Sequence, residues 1–211
     1  ENKGEIHVSA VMKDSKTYEH IEPEKVGNKR KILISDQSGK SNVLFKAKEL
    51  GLNLEKAESV AKEIVESVKE LENQGYEFEG ADGSFELIVK KAMKERKKFF
   101  DLDSFRMIIE NFNEKLLSEA AIKLSVNGEK EHTVAEGDGP VNALDAALRK
   151  ALLPHYPQLK DIELVDYKVR VLNGKDGTAA KVRVLIETMD KKNNERWGTV
   201  GVSENIIKAS W

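Results

Sequence analysis

Apolar residues recur along this chain with two different periods, and the change from one to the other divides it. From residue 43 to about 100 the spacing is three and four: Ala57, Val60, Ile64, Val68 and Leu71 line up, with Glu and Lys between them. That spacing predicts an amphipathic helix. Asn53 stands where a capping side chain is wanted, and Gly75 where a helix ends. A second helix is predicted over 84–98, with Phe85, Ile88, Val89, Ala92 and Met93 inward. Its basic run Lys94-Glu95-Arg96-Lys97-Lys98 suits the negative end of a helix dipole.

From about residue 103 the period becomes two. Residues 105–110, 120–126 and 132–135 predict three strands, with Asn127-Gly128 as a type I′ hairpin turn between the last two. A helix follows from Pro140, a favoured first-turn residue, with Val141, Leu144, Ala147, Leu148, Ala151 and Leu152 on one face. The same order then repeats: strands over 165–171, 180–186 and 197–202, then a helix opened by Ser203 or Glu204 that runs through Ile206 and Ile207 towards Trp211. The fold class is α+β, a helical subdomain followed by a duplicated β-β-β-α domain. One such unit is marginal as a core. Two units packed together, or two copies in a dimer, are expected to form a cleft between helix starts and strand ends. The expected boundaries are 1–48 for an arm or linker, 49–101 for the helical subdomain and 102–211 for the duplicated domain.

Residues 1–48 are irregular and polar, with turn signals at Pro23, Gly27-Asn28 and Ser38-Gly39. The stretch Asp36-Gln37-Ser38-Gly39-Lys40-Ser41-Asn42 follows a predicted strand and contains Gly-Lys-Ser, but it lacks the first glycine of a phosphate loop. It reads as a polar turn capping the next helix. The front of the chain places His7, Tyr18, Glu19 and His20 in a segment too short to fold alone. It reads as part of a longer protein, serving a site built elsewhere.

Composition narrows the classes. With 39% hydrophobic and 34% charged residues the chain reads as a soluble globular protein. A net charge of −2 gives no general attraction to nucleic acid or anionic membrane, and no apolar run approaches a membrane span. The absence of cysteine excludes disulfides and thiolate catalysis, and is compatible with the cytoplasm, the expected location. The histidines His7, His20, His132 and His155 are isolated from one another, so no metal site is expected. At Gly137-Asp138-Gly139-Pro140 two readings stay open: free backbone amides holding a carboxylate, or glycines that only make a tight turn. Asp138 can cap the helix in either case.

Two motif sets resemble a known family. Gly-x-Ile-His-Val-Ser-Ala-Val at 4–11, Tyr-Glu-His-Ile-x-Pro-x-x-Val-Gly-Asn at 18–28 and Ser38-Gly39-Lys40-Ser41-Asn42 are similar to the region after the catalytic barrel in citramalate synthases, relatives of 2-isopropylmalate synthases. Glu136-Gly137-Asp138-Gly139-Pro140-Val141-Asn142-Ala143 and Leu164-Val165-Asp166-Tyr167 resemble their C-terminal regulatory domain. The resemblance covers essentially the whole chain. It implies that condensation of acetyl-CoA with a keto acid occurs in a TIM barrel holding a divalent metal, whose His-x-His element is not found here. No cofactor is implied for this fragment, and it is not expected to be active by itself. His7 and Tyr18 would complete a partner subunit's site, His7 assisting proton abstraction and Tyr18 hydrogen-bonding substrate or polarising a carbonyl.

The resemblance further implies that the duplicated domain binds an end-product amino acid at a homodimer interface, isoleucine in citramalate synthases and leucine in isopropylmalate synthases. Matching positions are Val141, Asn142, Leu164, Tyr167, Val171, Thr178 and Val182, a set that suits a branched aliphatic zwitterion. Leu164, Val171 and Val182 also fit a plain core role. Family members usually complete the last helix, which puts the packing of the second unit in question. Two readings from different classes follow: an effector-binding regulatory and dimerisation fragment, or a purely structural dimerisation module. A stand-alone enzyme is a distant third.

Overall fold

Three helices and two three-stranded sheets, each sheet with its own helix, make up residues 40–172 and 174–211, which the computed structural model describes. His7, Tyr18, the strand expected at 31–34 and most of the Gly-Lys-Ser turn lie outside the described residues.

Helix α1 spans Lys40–Glu49, α2 Leu54–Asn73 and α3 Asp82–Ala92. Asn53 caps α2, its side chain accepting from the Lys56 N–H at 3.0 Å, and Gly75 follows the helix at a φ of 106°. The periodic residues do what their spacing requires: Ala57, Ile64 and Val68 are buried against Val43 and Ala47 of α1 and Phe85 and Val89 of α3. The helix expected over 84–98 is shorter than its pattern. It ends at Ala92 because Lys94 takes a left-handed φ of 58° and the Glu95 N–H closes back onto the Lys90 carbonyl at 2.8 Å. The basic run therefore lies beyond the helix.

The first unit holds β1 (Asp101–Phe112), β2 (Lys115–Val126), β3 (Glu129–Gly137) and α4 (Pro140–Leu152). The second holds β4 (Ile162–Val171), β5 (Val182–Asp190), β6 (Glu195–Ser203) and the five-residue α5 (Ile206–Ser210). Both sheets are antiparallel meanders, β1-β2-β3 and β4-β5-β6. Asn127 and Gly128 take φ of 51° and 88°, as a type I′ turn requires. A second such turn, at Asn113 and Glu114 (51° and 63°), lengthens β1 and β2 beyond their alternating cores. Asn205, not Ser203 or Glu204, caps α5 by accepting from the Ile207 and Lys208 N–H groups.

Alternation in β2 is strict: Ser118, Ala120, Ile122, Leu124 and Val126 are all buried beneath Ala143, Ala147 and Ala151 of α4. Burying each large aliphatic is worth about 1.5–3 kcal/mol. The second sheet is covered on both faces. Alpha-helix α5 lies so close that a Cβ at Gly201 would overlap the Ala209 carbonyl. From the other side, Arg183 Nε donates to the Gly75 carbonyl at 2.6 Å and Arg183 pairs with Glu77. The Val200 N–H donates to Ser84 Oγ of α3 at 2.9 Å. The strands β1 and β4 extend past their own helices and leave apolar side chains on the helix-bearing face, Ile109 at 54% exposure and Val171 at 55%.

Candidate functional site

Where α4 of the first unit approaches β4 and β5 of the second, a cleft of about 510 Å³ opens. Helix α4 contributes Val141, Leu144 and Leu148 together with Asn142, Asp145 and Arg149; the sheet contributes Leu164, Tyr167, Ile186 and Thr188; Ser210 and Trp211 close the end. Its apolar walls thus come from both units, with polar groups concentrated along α4.

Two local features aim these residues. Leu164 and Tyr167 are three apart, and regular alternation would put them on opposite faces. A register shift between Leu164 and Asp166 cancels that, so Leu164 faces Thr188 and Tyr167 faces Ile186 on one side of the sheet. Asp166 beside the shift accepts from its neighbour's N–H, Tyr167, at 2.9 Å. Its carboxyl is held below the usual range first by the hydrogen bond from Lys168, against desolvation, with help from the Lys168 charge and the Tyr167 N–H.

The second feature is the start of α4. Gly139 occupies the cap position with no side-chain bond, so Asp138 is not the cap. Instead Asn142 reaches back and its Oδ1 accepts from the Asp138 N–H at 3.1 Å. Gly137 is a glycine for space: a Cβ there would run into Asn142 and the Ala143 nitrogen. With Pro140 lacking an N–H and Ala143 bonded to the Gly139 carbonyl, the first-turn amides at Val141 and Asn142 have no acceptor within the helix. They and the Asn142 amide nitrogen are donors at one end of the cleft, where the helix dipole favours an anion.

One turn further on, Asp145 supplies the opposite charge. One carboxylate oxygen accepts from Arg149 Nε at 2.8 Å, and Arg149 is itself fixed by the Leu159 and Ile162 carbonyls at 3.0 and 2.8 Å. The second oxygen of Asp145 keeps its capacity to accept. Tyr167 Oη lies 2.7 Å from Ser210 Oγ, whose single proton goes to the Ile206 carbonyl, so Tyr167 is the donor of that pair and retains lone pairs for another partner.

Of the residues expected to bind an effector, the cleft brings together Val141, Asn142, Leu164 and Tyr167. Val171 and Val182 pair with each other at the far end of β4 and β5, on the cleft's face but about 13 Å along the strand. Thr178 is exposed in the short 3₁₀ segment Gly174–Ala179 between the strands. Leu144, Asp145, Leu148, Arg149, Ile186, Thr188, Ser210 and Trp211 were not anticipated. Asp145 and Arg149 carried a readable signal, since they sit four and eight residues after Val141, charged groups within the apolar stripe of α4. Catalytic roles for His7 and Tyr18 fall on residues outside the described part. Among the described residues no helix is long and apolar enough to cross a membrane.

Comparison with known proteins adds the following. Residues 79–211 match the family model of the LeuA allosteric (dimerisation) domain, and residues 2–76 match one described as homocitrate synthase post-HMGL domain-like. Over its full length the chain is 55% identical to an (R)-citramalate synthase of Geobacter sulfurreducens, 52% identical to one of Aquifex aeolicus and 47% identical to one of Synechocystis sp.. It spans 40% of the length of the first two and 39% of the third.

Proposed function

The chain belongs to the LeuA allosteric (dimerisation) domain family, and on that premise we propose that it is the effector-sensing and dimerising part of a citramalate synthase, with isoleucine as the ligand of its cleft. The observation that carries this reading is the order of groups along α4. Free amides at Val141 and Asn142 suit a carboxylate, Asp145 one turn later suits an ammonium, and Leu144, Leu148, Leu164 and Ile186 suit a branched side chain. The ring of Tyr167 would close the wall and its oxygen accept from the ammonium. A zwitterion needs both polar ends answered once it leaves water, because an unpaired charge in an apolar cleft is strongly unfavourable.

Dimerisation rests on a second observation. Val169 and Val171 continue the cleft's face of β4 into open solvent, and Ile109 and Leu116 do the same on the first unit. A second copy covering these strips would wall the cleft on its open side and draw Val171, Thr178 and Val182 into the binding region. Effector binding would then favour one arrangement of the two copies, which is what inhibition at a distance requires. In the whole enzyme, condensation of acetyl-CoA with pyruvate would fall to a metal-bearing barrel, with His7 and Tyr18 lent to the partner's site. A cytoplasmic location belongs to the same reading.

A thermal-shift series tests it. Isoleucine at a hundredfold excess over its dissociation constant raises the melting temperature by about 5–10 °C, and leucine by less. A larger response to leucine would move the assignment to leucine sensing. No response to either would leave only the structural role.

A further inference from the structure

The duplication builds the cleft's frame twice. In β1, Leu102, Phe105 and Met107 hold the positions that Leu164, Tyr167 and Val169 hold in β4. A register shift follows each leucine, at Leu102/Ser104 and Leu164/Asp166, and the aromatic residue that follows faces an isoleucine, Ile122 or Ile186. Counting from the helix caps Gly139 and Asn205, Ile207 stands where Val141 does, Lys208 where Asn142 does, and Trp211 where Asp145 does. Between β1 and α5 lies a second cleft of about 600 Å³, lined by Leu102, Phe105, Met107, Ile207, Lys208 and Trp211, with Asn205 at its edge. It mirrors the first: there the first unit's helix meets the second unit's strand, here the second unit's helix meets the first unit's strand.

The frame is shared, but the chemistry is not. Each exchange removes a group that could accept a hydrogen bond from a cation. Tyr167 becomes Phe105, Asp145 becomes Trp211, Asn142 becomes Lys208, and Thr188 opposite Leu164 becomes Leu124 opposite Leu102. The Asn205 side-chain oxygen is already occupied by the Ile207 and Lys208 N–H groups at 2.9 and 3.2 Å. What remains for a ligand is donors, the Lys208 ammonium and the Asn205 amide nitrogen. Among the described residues Lys208 has no carboxylate partner. The stacked rings of Phe105 and Trp211, 5.7 Å apart, form an apolar floor.

We propose that this second cleft binds a monoanionic carboxylate with a short branched apolar tail, and rejects amino acids. The tail gains about 25 cal/mol for each Å² it removes from water, and Lys208 gives the carboxylate a charge-assisted hydrogen bond. An α-ammonium would lie beside Lys208 with nothing to accept from it. Selection thus comes from a repelling cation as well as an attracting one. The proposal stands on the internal correspondence and does not depend on isoleucine being the ligand of the first cleft.

Calorimetric titration of the whole chain with 4-methylpentanoate, alone and with saturating isoleucine, tests it, with 4-methylpentylamine as the cationic control. The acid is expected to bind once per chain with the same affinity in both arms, and the amine not to bind. Lys208→Ala should weaken the acid about tenfold and Lys208→Arg should restore most of that. Lys208 is exposed, so neither change threatens the fold. Failure of the acid to bind, its displacement by isoleucine, equal binding of the amine, or an unchanged affinity in Lys208→Ala would each overturn the proposal. A chain that binds the acid but not isoleucine would keep this proposal and remove the reading of the first cleft.

Discussion

The two β-β-β-α units share strand order, register shifts and helix placement, yet they are used differently. Among the described residues, the first unit's sheet is covered on one face, by the 13-residue α4, which also projects Asn142, Asp145 and Arg149 across to its neighbour. The second unit's sheet is covered on both. One face looks into the cleft with Tyr167 and Ile186, while the other carries Arg183 and Leu185, which meet the connection between α2 and α3. Alternation along β5 therefore puts cleft-lining and helical-subdomain contacts on successive residues. Duplication supplies a backbone frame cheaply, and a handful of side chains then sets the different lining of each unit's cleft.

That comparison can be broken at several points. The largest effect is expected at Tyr167. Tyr167→Ala should raise the isoleucine dissociation constant more than about thirtyfold, the range of a central aromatic contact. Phe105→Tyr, which gives the first unit's strand the same hydroxyl, should leave it within about twofold, because Phe105 does not line the first cleft and meets it only through the ring of Trp211. A second isoleucine bound to Phe105→Tyr would mean that the units differ less than their linings suggest. Next comes Val171→Asp, which places a charge on the exposed strip of β4. Sedimentation should show the dimer dissociating at least tenfold more readily with the helical content unchanged.

Much of this was legible before any coordinates. Period three-to-four and period two located α2, α3, the six strands, α4 and α5, and Asn53, Gly75, Asn127-Gly128 and Pro140 marked boundaries that hold. Helix α1, which lies almost wholly within the stretch read as an irregular arm, and the 3₁₀ segments Pro157–Asp161 and Gly174–Ala179 were not located. The misses have physical causes. Asn113-Glu114 makes a left-handed turn without glycine, so it carries no composition signal. Lys94 does the same at the end of α3, and helical periodicity past it means nothing. The register shift that turns Leu164 and Tyr167 to one side is invisible to any alternation rule. Four cleft residues were named because a family resemblance pointed to them; Ile186 and Thr188 depend on cross-unit packing, which local pattern does not encode.

Smaller effects sharpen the picture. Asp145→Asn keeps the shape of the cleft but removes the charge that answers an ammonium, and should weaken isoleucine about tenfold while leaving its heat-stability without ligand little changed. Asn53→Ala lies far from both clefts and should cost about 1 kcal/mol, or a melting-temperature drop of about 2–4 °C, with isoleucine affinity unaltered. Circular dichroism and calorimetry on the same samples separate these two outcomes.

The central claim is that the two units together form one amino-acid cleft with a polar face on α4 and an apolar face on the second sheet. Calorimetric titration of the purified chain with isoleucine, leucine and valine measures this directly. The account predicts one isoleucine per chain, with leucine and valine several-fold weaker because the same polar ends are held and only the side-chain fit differs. No heat with any of the three, in a folded chain, would contradict it.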